Sequence, residues 1–273
     1  MSGLFHWYIN LKHRRKFNLN LVSNTYGQGP NLVLLHGWGL NSGVWQPSIE
    51  HLQSSFTVTT IDLPGFGLNH QQLPENYTLV EVAKAISKII PDSSIVLGWS
   101  LGGLVAQQMA LLAAQKVSAL ILVASSPRFI ATDNWPGMQA TVLSNFNTQL
   151  KLNLSATVSR FLAIQAMGSP TAKQDIKTIK QHIDSYPPAD PVALSAGLQL
   201  LEQSDLRADL GKIQCPMHVI LGKLDSLVPV KLQEYLPDLQ QDVDIRIFDK
   251  SSHAPFISEP ERFNEVLVKL YAD

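Results

Sequence analysis

The sequence predicts an α/β fold, a mostly parallel sheet covered on both faces with a helical cap inserted ahead of its last two strands. Three observations carry this. Short runs of β-branched and other apolar residues alternate with amphipathic segments through the first half of the chain. Between about residues 128 and 204 the strand-like runs vanish and helix-forming segments remain. The strand–helix rhythm then returns to the end of the chain. A length of 273 residues suits one large domain, or a core with an inserted subdomain.

The elements follow in order. Residues 1–26 read as a leader of unclear role, a short aromatic patch and then a basic cluster from His13 to Lys16. A secretory signal has the opposite order, basic residues before a longer apolar stretch. "NLVLLHG" (31–37) and "FTVTTIDLPGFG" (56–67) read as buried strands. "YTLVEVAKAISKII" (77–90) has helical spacing at Leu79, Val82, Ala83, Ile86 and Ile90. "SSIVLG", a helix from Leu101 and "VSALILVASSP" (117–127) continue the alternation. Residues 128–204 read as several helices broken by "GSP" and "YPPADP", a cap over the core. "MHVILGKLD" (217–225), "VDIRIFD" (243–249) and the helix "PERFNEVLVKLYA" complete the core. The expected division is therefore a core of 27–127 and 205–273 with a cap of 128–204.

Composition narrows the function. With 45% hydrophobic and 16% charged residues the chain reads as an ordinary soluble globular protein. A net charge of −1 argues against a whole-molecule nucleic-acid binder, so charge recognition has to be local. The single cysteine, Cys215, excludes an internal disulfide and a cysteine zinc site. No apolar run approaches the roughly 18 residues of a membrane span. A cytoplasmic monomer without metal or cofactor is expected.

In an open parallel sheet, functional groups gather at the carboxyl ends of the strands. Four such ends carry suggestive residues: "HGWG" (His36 to Gly39), "LGWSLGG" with Ser100, "GKLDSLVP" with Asp225, and "KSSHAPF" with His253. The G-x-S-x-G spacing at Ser100 lies between a strand and a helix. A serine on so tight a turn needs small neighbours two residues away on each side. A serine hydroxyl is a weak nucleophile until a base takes its proton and an acid orients that base. His253 and Asp225 stand at the right strand ends for those roles. His51, His70, His182 and His218 read as structural or solvent-facing, as do Asp205 and Asp209. His36 is expected to brace its loop. The backbone N–H groups of Trp38 and Leu101 are the expected oxyanion donors, and Trp38, Trp99 and Phe161 the expected lining of an apolar channel.

These residues make the chain resemble the α/β-hydrolases, whose triad runs in the order Ser100, Asp225, His253. More closely it is similar to the pimeloyl-[acyl-carrier protein] methyl ester esterase (BioH) family of biotin biosynthesis. The likeness runs from about Gly27 to the C-terminus, through "LVLLHGWGLNSGVW", "DLPGFG", "LGWSLGGLVA", "VASSP", "WPGM", "RFLAIQAMG", "LDSLVP" and "HAPFISEP". Two positions depart from the family. "GFGLN" stands where "GFGRS" is usual, beside the expected entrance, and Ala156 stands where an arginine is frequent. The resemblance implies a serine carboxylesterase acting on a methyl ester whose acyl chain hangs from acyl carrier protein. The residues add a basic row, Lys173, Lys177 and Lys180, at helical spacing beside Ile176, Ile179 and Ile183, with Asp175 the one acid from Lys151 to Ile183. Arg160, Lys173 and Lys177 are the expected docking residues for an acidic carrier. A broad-specificity carboxylesterase, or a ligand-sensing relative of the same fold, are the alternative readings.

Overall fold

The described residues, 19–272 of this computed structural model, fold about a single seven-stranded sheet. The basic cluster His13–Lys16 lies outside them. The strands are β1 (Ser23–Tyr26), β2 (Asn31–Leu35), β3 (Thr57–Ile61), β4 (Ser94–Trp99), β5 (Val117–Val123), β6 (Met217–Gly222) and β7 (Val243–Phe248). Their spatial order is β1-β3-β2-β4-β5-β6-β7, and every pairing is parallel except β1 with β3. Residues 23–26, assigned above to the leader, therefore belong to the sheet. "SNTY" has no apolar run to betray it, because an edge strand is held by backbone pairing and half exposed.

The inner strands alternate faces. Val33, Leu35, Val96, Leu120 and Leu122 feed one hydrophobic cluster, and Leu32, Leu34, Ile95, Leu97 and Ile121 feed the other. The helices α1 (Gln46–Leu52) and α10 (Pro260–Tyr271) cover the second face with Ile49, Leu52, Phe263 and Leu267. On the first face lie α2 (Leu79–Ser87) and α3 (Leu101–Leu112). The α2 helix starts where the Thr78 hydroxyl accepts the Glu81 N–H, and it buries Leu79, Val82, Ala83 and Ile86.

Between β5 and β6 the chain runs through α4 (Ala140–Leu152), α5 (Leu154–Gln165), α6 (Ala172–Ile183) and α7 (Pro191–Gln203). Local chemistry sets each break. Asn153 caps α5 by accepting the Ala156 N–H, Gly168 turns with φ +92°, and Asp190 caps α7 ahead of Pro191. Two short helices, α8 (Leu236–Leu239) and α9 (Pro255–Ser258), lie in the last third. No helix among the described residues is long and apolar enough to cross a membrane.

The topology locates the site. From β2 the chain moves to β3 on one side, whereas from β4 it moves to β5 on the other. The carboxyl ends of β2 and β4 therefore flank the point where connections diverge, the place where such sheets open a crevice. "HGWG" and Ser100 stand at those two ends.

Candidate active site

Ser100 joins β4 to α3 with φ 54° and ψ −116°, a conformation that costs a side-chain-bearing residue about 1–3 kcal/mol. Its neighbours hold it there. The Ser100 N–H donates to the Val123 carbonyl at 2.9 Å, and the Ser125 hydroxyl donates to the Ser100 carbonyl at 2.8 Å. A Cβ on Gly98 would stand 2.3 Å from the Gly102 carbonyl oxygen, and one on Gly102 would stand 2.5 Å from that of Leu35. The two glycines of the motif thus clear the turn of backbone on both sides. Ser125 belongs to "VASSP", where nothing in the sequence marked its bracing role.

Asp225 and His253, 28 residues apart, meet in a buried contact. Asp225 Oδ2 lies 2.7 Å from His253 Nδ1, and its Oδ1 accepts the N–H groups of Leu227 and Val228 at 2.8 and 3.1 Å. The imidazole side chain is 1% exposed, and its Nε2 has no partner among the described residues. With Nδ1–H committed to the carboxylate, Nε2 is left as a free acceptor. The His253 backbone is pinned from two sides. Its N–H donates to the Gln165 carbonyl at 3.0 Å, and its own carbonyl accepts the Trp99 indole N–H at 2.7 Å. Trp99 adjoins Ser100 in the chain, so the second bond ties the histidine loop to the serine turn.

The loop after β2 runs against the same turn, where a Cβ on Gly37 would come 3.3 Å from Ser100 Cβ. His36 sets its shape. His36 Nδ1 lies 2.8 Å from the Gly37 carbonyl oxygen, while Nε2 accepts the Leu63 N–H at 3.0 Å. That pattern requires the neutral ring with its proton on Nδ1. Burial pushes the pKa of His36 down, against the opposing pull of Asp62. The Gly37 carbonyl and the Trp38 N–H share one planar peptide, so His36 also aims the Trp38 N–H. Neither that N–H nor the Leu101 N–H has a backbone partner among the described residues. Both residues are buried.

The aromatic residues divide between two places. Trp38 packs edge-on to Phe161 at 4.7 Å, and its indole donates to the Leu194 carbonyl at 2.8 Å. Trp99 does not join them. It lies in the cluster on the opposite sheet face with Trp45 and Phe256, because successive side chains of β4 point to opposite sides. Its links to the site are the indole bond to His253, whose ring lies 5.9 Å away, and Gly37, where a Cβ would come 3.2 Å from the Trp99 ring.

A cleft of about 400 Å³ opens between the loop after β2, α5, the end of α6 and the segment before α7. Gly39, Val158, Leu194, Lys180 and Tyr186 are in its wall, and Leu194 is the residue whose carbonyl accepts the Trp38 indole N–H. Arg160, Lys173 and Lys177 are exposed and form no ion pair among the described residues. Asp175 is buried, and its Oδ2 accepts the hydroxyls of Ser169 and Ser258, each at 2.9 Å. The exposed face of α6 therefore carries lysines without that acid. In "GFGLN", Asn69 is fully buried, donating to the Val22 and Asp62 carbonyls and accepting the Val22 N–H. That departure stitches the loop after β3 to the segment leading into β1.

Comparison with known proteins agrees with this architecture. A family model described as the alpha/beta hydrolase fold matches residues 30–260. The pimeloyl-[acyl-carrier protein] methyl ester esterase of Pseudoalteromonas atlantica is 52% identical over 89% of this chain and 95% of its own. The protein of that name from Vibrio parahaemolyticus is 48% identical over the same shares. Among solved structures, an esterase from Exiguobacterium antarcticum superposes with a TM-score of 0.81 over 92% of this chain and 94% of its own. At 24% identity, that likeness speaks for the fold alone. With a serine turn at the divergence of the sheet and relatives matched along nearly their whole length, this chain belongs to the α/β-hydrolases and, within them, to the pimeloyl-[acyl-carrier protein] methyl ester esterase family.

Proposed function

We propose that this carboxylic ester hydrolase cleaves the methyl ester at the far end of a pimeloyl chain carried on acyl carrier protein, through an acyl-serine intermediate. The observation that carries the reading is the buried Asp225–His253 pair with a free Nε2, its histidine backbone carbonyl tied by the Trp99 indole to the strained Ser100 turn. The 52% identity to a relative named for this reaction supports the choice of substrate.

In this mechanism Ser100 Oγ attacks the ester carbonyl as His253 Nε2 takes its proton. Asp225 holds the ring and stabilises its charged form. The N–H groups of Trp38 and Leu101 receive the oxyanion, each worth on the order of 10²–10³ in rate. Methanol leaves with the proton from His253, and water hydrolyses the acyl-serine along the same route. Trp38 and Phe161 line the apolar approach, while Trp99 positions the base.

Residues 128–204 act as the cap that admits the substrate. A thioester is more reactive than a methyl ester, so selectivity has to come from reach. The carrier docks on Arg160, Lys173 and Lys177 and keeps the thioester outside. The cleft beside Gly39 and Leu194, with Lys180 in its wall, takes the arm that leads toward the acyl chain.

The test compares pimeloyl methyl ester on its carrier with the same ester free. Ser100→Ala is expected to lower turnover of both by at least about 10³. Lys173→Glu with Lys177→Glu is expected to lower kcat/KM for the carrier-bound ester roughly tenfold or more and to leave the free ester unchanged. Activity surviving in Ser100→Ala would overturn the mechanism. Equal rates on both esters, insensitive to charge reversal, would mark a broad carboxylesterase instead.

A further inference from the structure

Gln165 sits at the end of the inner face of α5, and no hydrogen bond among the described residues accounts for its side chain. Thr157, Phe161 and Gln165 follow at four-residue intervals, so they share one face of the helix, and all three are buried. The Thr157 hydroxyl is satisfied by the Asn153 carbonyl, and Phe161 meets the Trp38 ring. One turn further on, the Gln165 backbone carbonyl receives the His253 N–H. The face thus passes from the Trp38 loop to the His253 loop, with Gln165 at the His253 end. Gln165 is 1% exposed, yet neither its Oε1 nor its Nε2 has a partner among the described residues. His253 Nε2 is a second buried polar atom in the same condition. An amide without a bond destabilises a core, and one on the helix residue whose carbonyl receives the His253 N–H points to a species it holds during turnover.

We propose that Gln165 is a catalytic residue of deacylation, its Oε1 and His253 Nε2 together holding the hydrolytic water. The inference rests on the acyl-serine reading above. Water brings two protons. One passes to His253 Nε2 as the oxygen bonds to the acyl carbon, and the other needs an acceptor that leaves it in place. The neutral Gln165 Oε1 is such an acceptor. The bond from the acyl carbon to Ser100 Oγ then breaks, His253 returns the proton to Oγ, and the carboxylic acid departs. Acylation has no such need, because Ser100 Oγ carries a single proton.

The discriminating experiment is the partition of the acyl-enzyme between water and added methanol, which also has one hydroxyl proton. In Gln165→Met the ratio of hydrolysis to methanolysis is expected to fall roughly tenfold. Acyl-protein is expected to accumulate by intact mass, and the melting temperature to rise as an unbonded amide leaves the core. Gln165→Glu, which keeps an acceptor, is expected to hold the wild-type ratio. An unchanged ratio in Gln165→Met, the same fall in both variants, or a lowered melting temperature in Gln165→Met would overturn the proposal. Turnover surviving in Ser100→Ala would instead overturn the acyl-serine reading on which it rests.

Discussion

At His36, burial and two backbone contacts set both charge and tautomer. The ring is fully buried, with the Asp62 carboxylate 3.7 Å from its Nε2. Asp62 is itself occupied, accepting the N–H groups of Ser42 and Leu68. Burial holds the folded pKa below the ordinary value of 6.5, the dominant influence over Asp62 and the Gly37 carbonyl, which both raise it. The consequence for stability has a definite sign. Above that ordinary value neither the folded nor the unfolded chain carries a proton there. As pH falls through 6.5 the unfolded chain binds a proton that the folded chain refuses, and stability drops until the lower folded pKa is reached. Urea unfolding between pH 8 and pH 5 should show this decline, and His36→Gln should flatten it. A slope unchanged in the variant would assign the decline to other groups. His36 also shows how a residue given no part in proton transfer shapes the loop proposed to hold the oxyanion, by contacting the peptide that carries the Trp38 N–H.

The element that most altered its meaning on folding is α6. Its sequence spacing separates lysines from isoleucines, and Ile179 is buried as that spacing requires. Asp175 breaks the simple pattern, standing on the buried side as an anchor. Through the Ser169 and Ser258 hydroxyls it ties α6 to the segment after α5 and to α9, which begins two residues after His253. Asp175→Ala removes the acceptor of two hydroxyls, and a loss of about 1–3 kcal/mol in denaturant unfolding is expected. KM for the carrier-bound ester is expected to rise more than KM for the free ester, since the helix proposed to dock the carrier loosens. Asp175→Asn, which retains an acceptor, should recover most of both effects.

Across the whole molecule, charge and topology act together. A net charge of −1 gives no overall pull on an acidic partner, so any steering has to come from the exposed face of α5 and α6. The value of kcat/KM for the carrier-bound ester should therefore fall several-fold as ionic strength rises from about 0.05 to 0.3 M, while the free ester stays nearly flat. Parallel slopes for the two substrates would remove electrostatic docking from the account. The sheet supplies the other global constraint. Every strand from β2 to β7 points the same way, so the loops bearing Trp38, Ser100, Asp225 and His253 emerge at one edge. They emerge there together, although the chain separates Trp38 from His253 by most of its length.

By itself the sequence determined the parallel sheet, the helical stretch before β6, and the family, because these rest on periodicity and local turn chemistry. Buried strands must be apolar, and a serine on a tight turn must have glycines around it. Only the tertiary structure decided what depends on residues distant in the chain. It put β1 into the sheet through backbone bonds that need no particular side chain. It turned Asp175 inward, and it carried Trp99 away from Trp38 to the far side of β4. Gln165 lay unremarked within "RFLAIQAMG", because a glutamine on a helix says nothing until its neighbours are known. A side chain's partners are set by where the fold delivers other segments, and that information is not local.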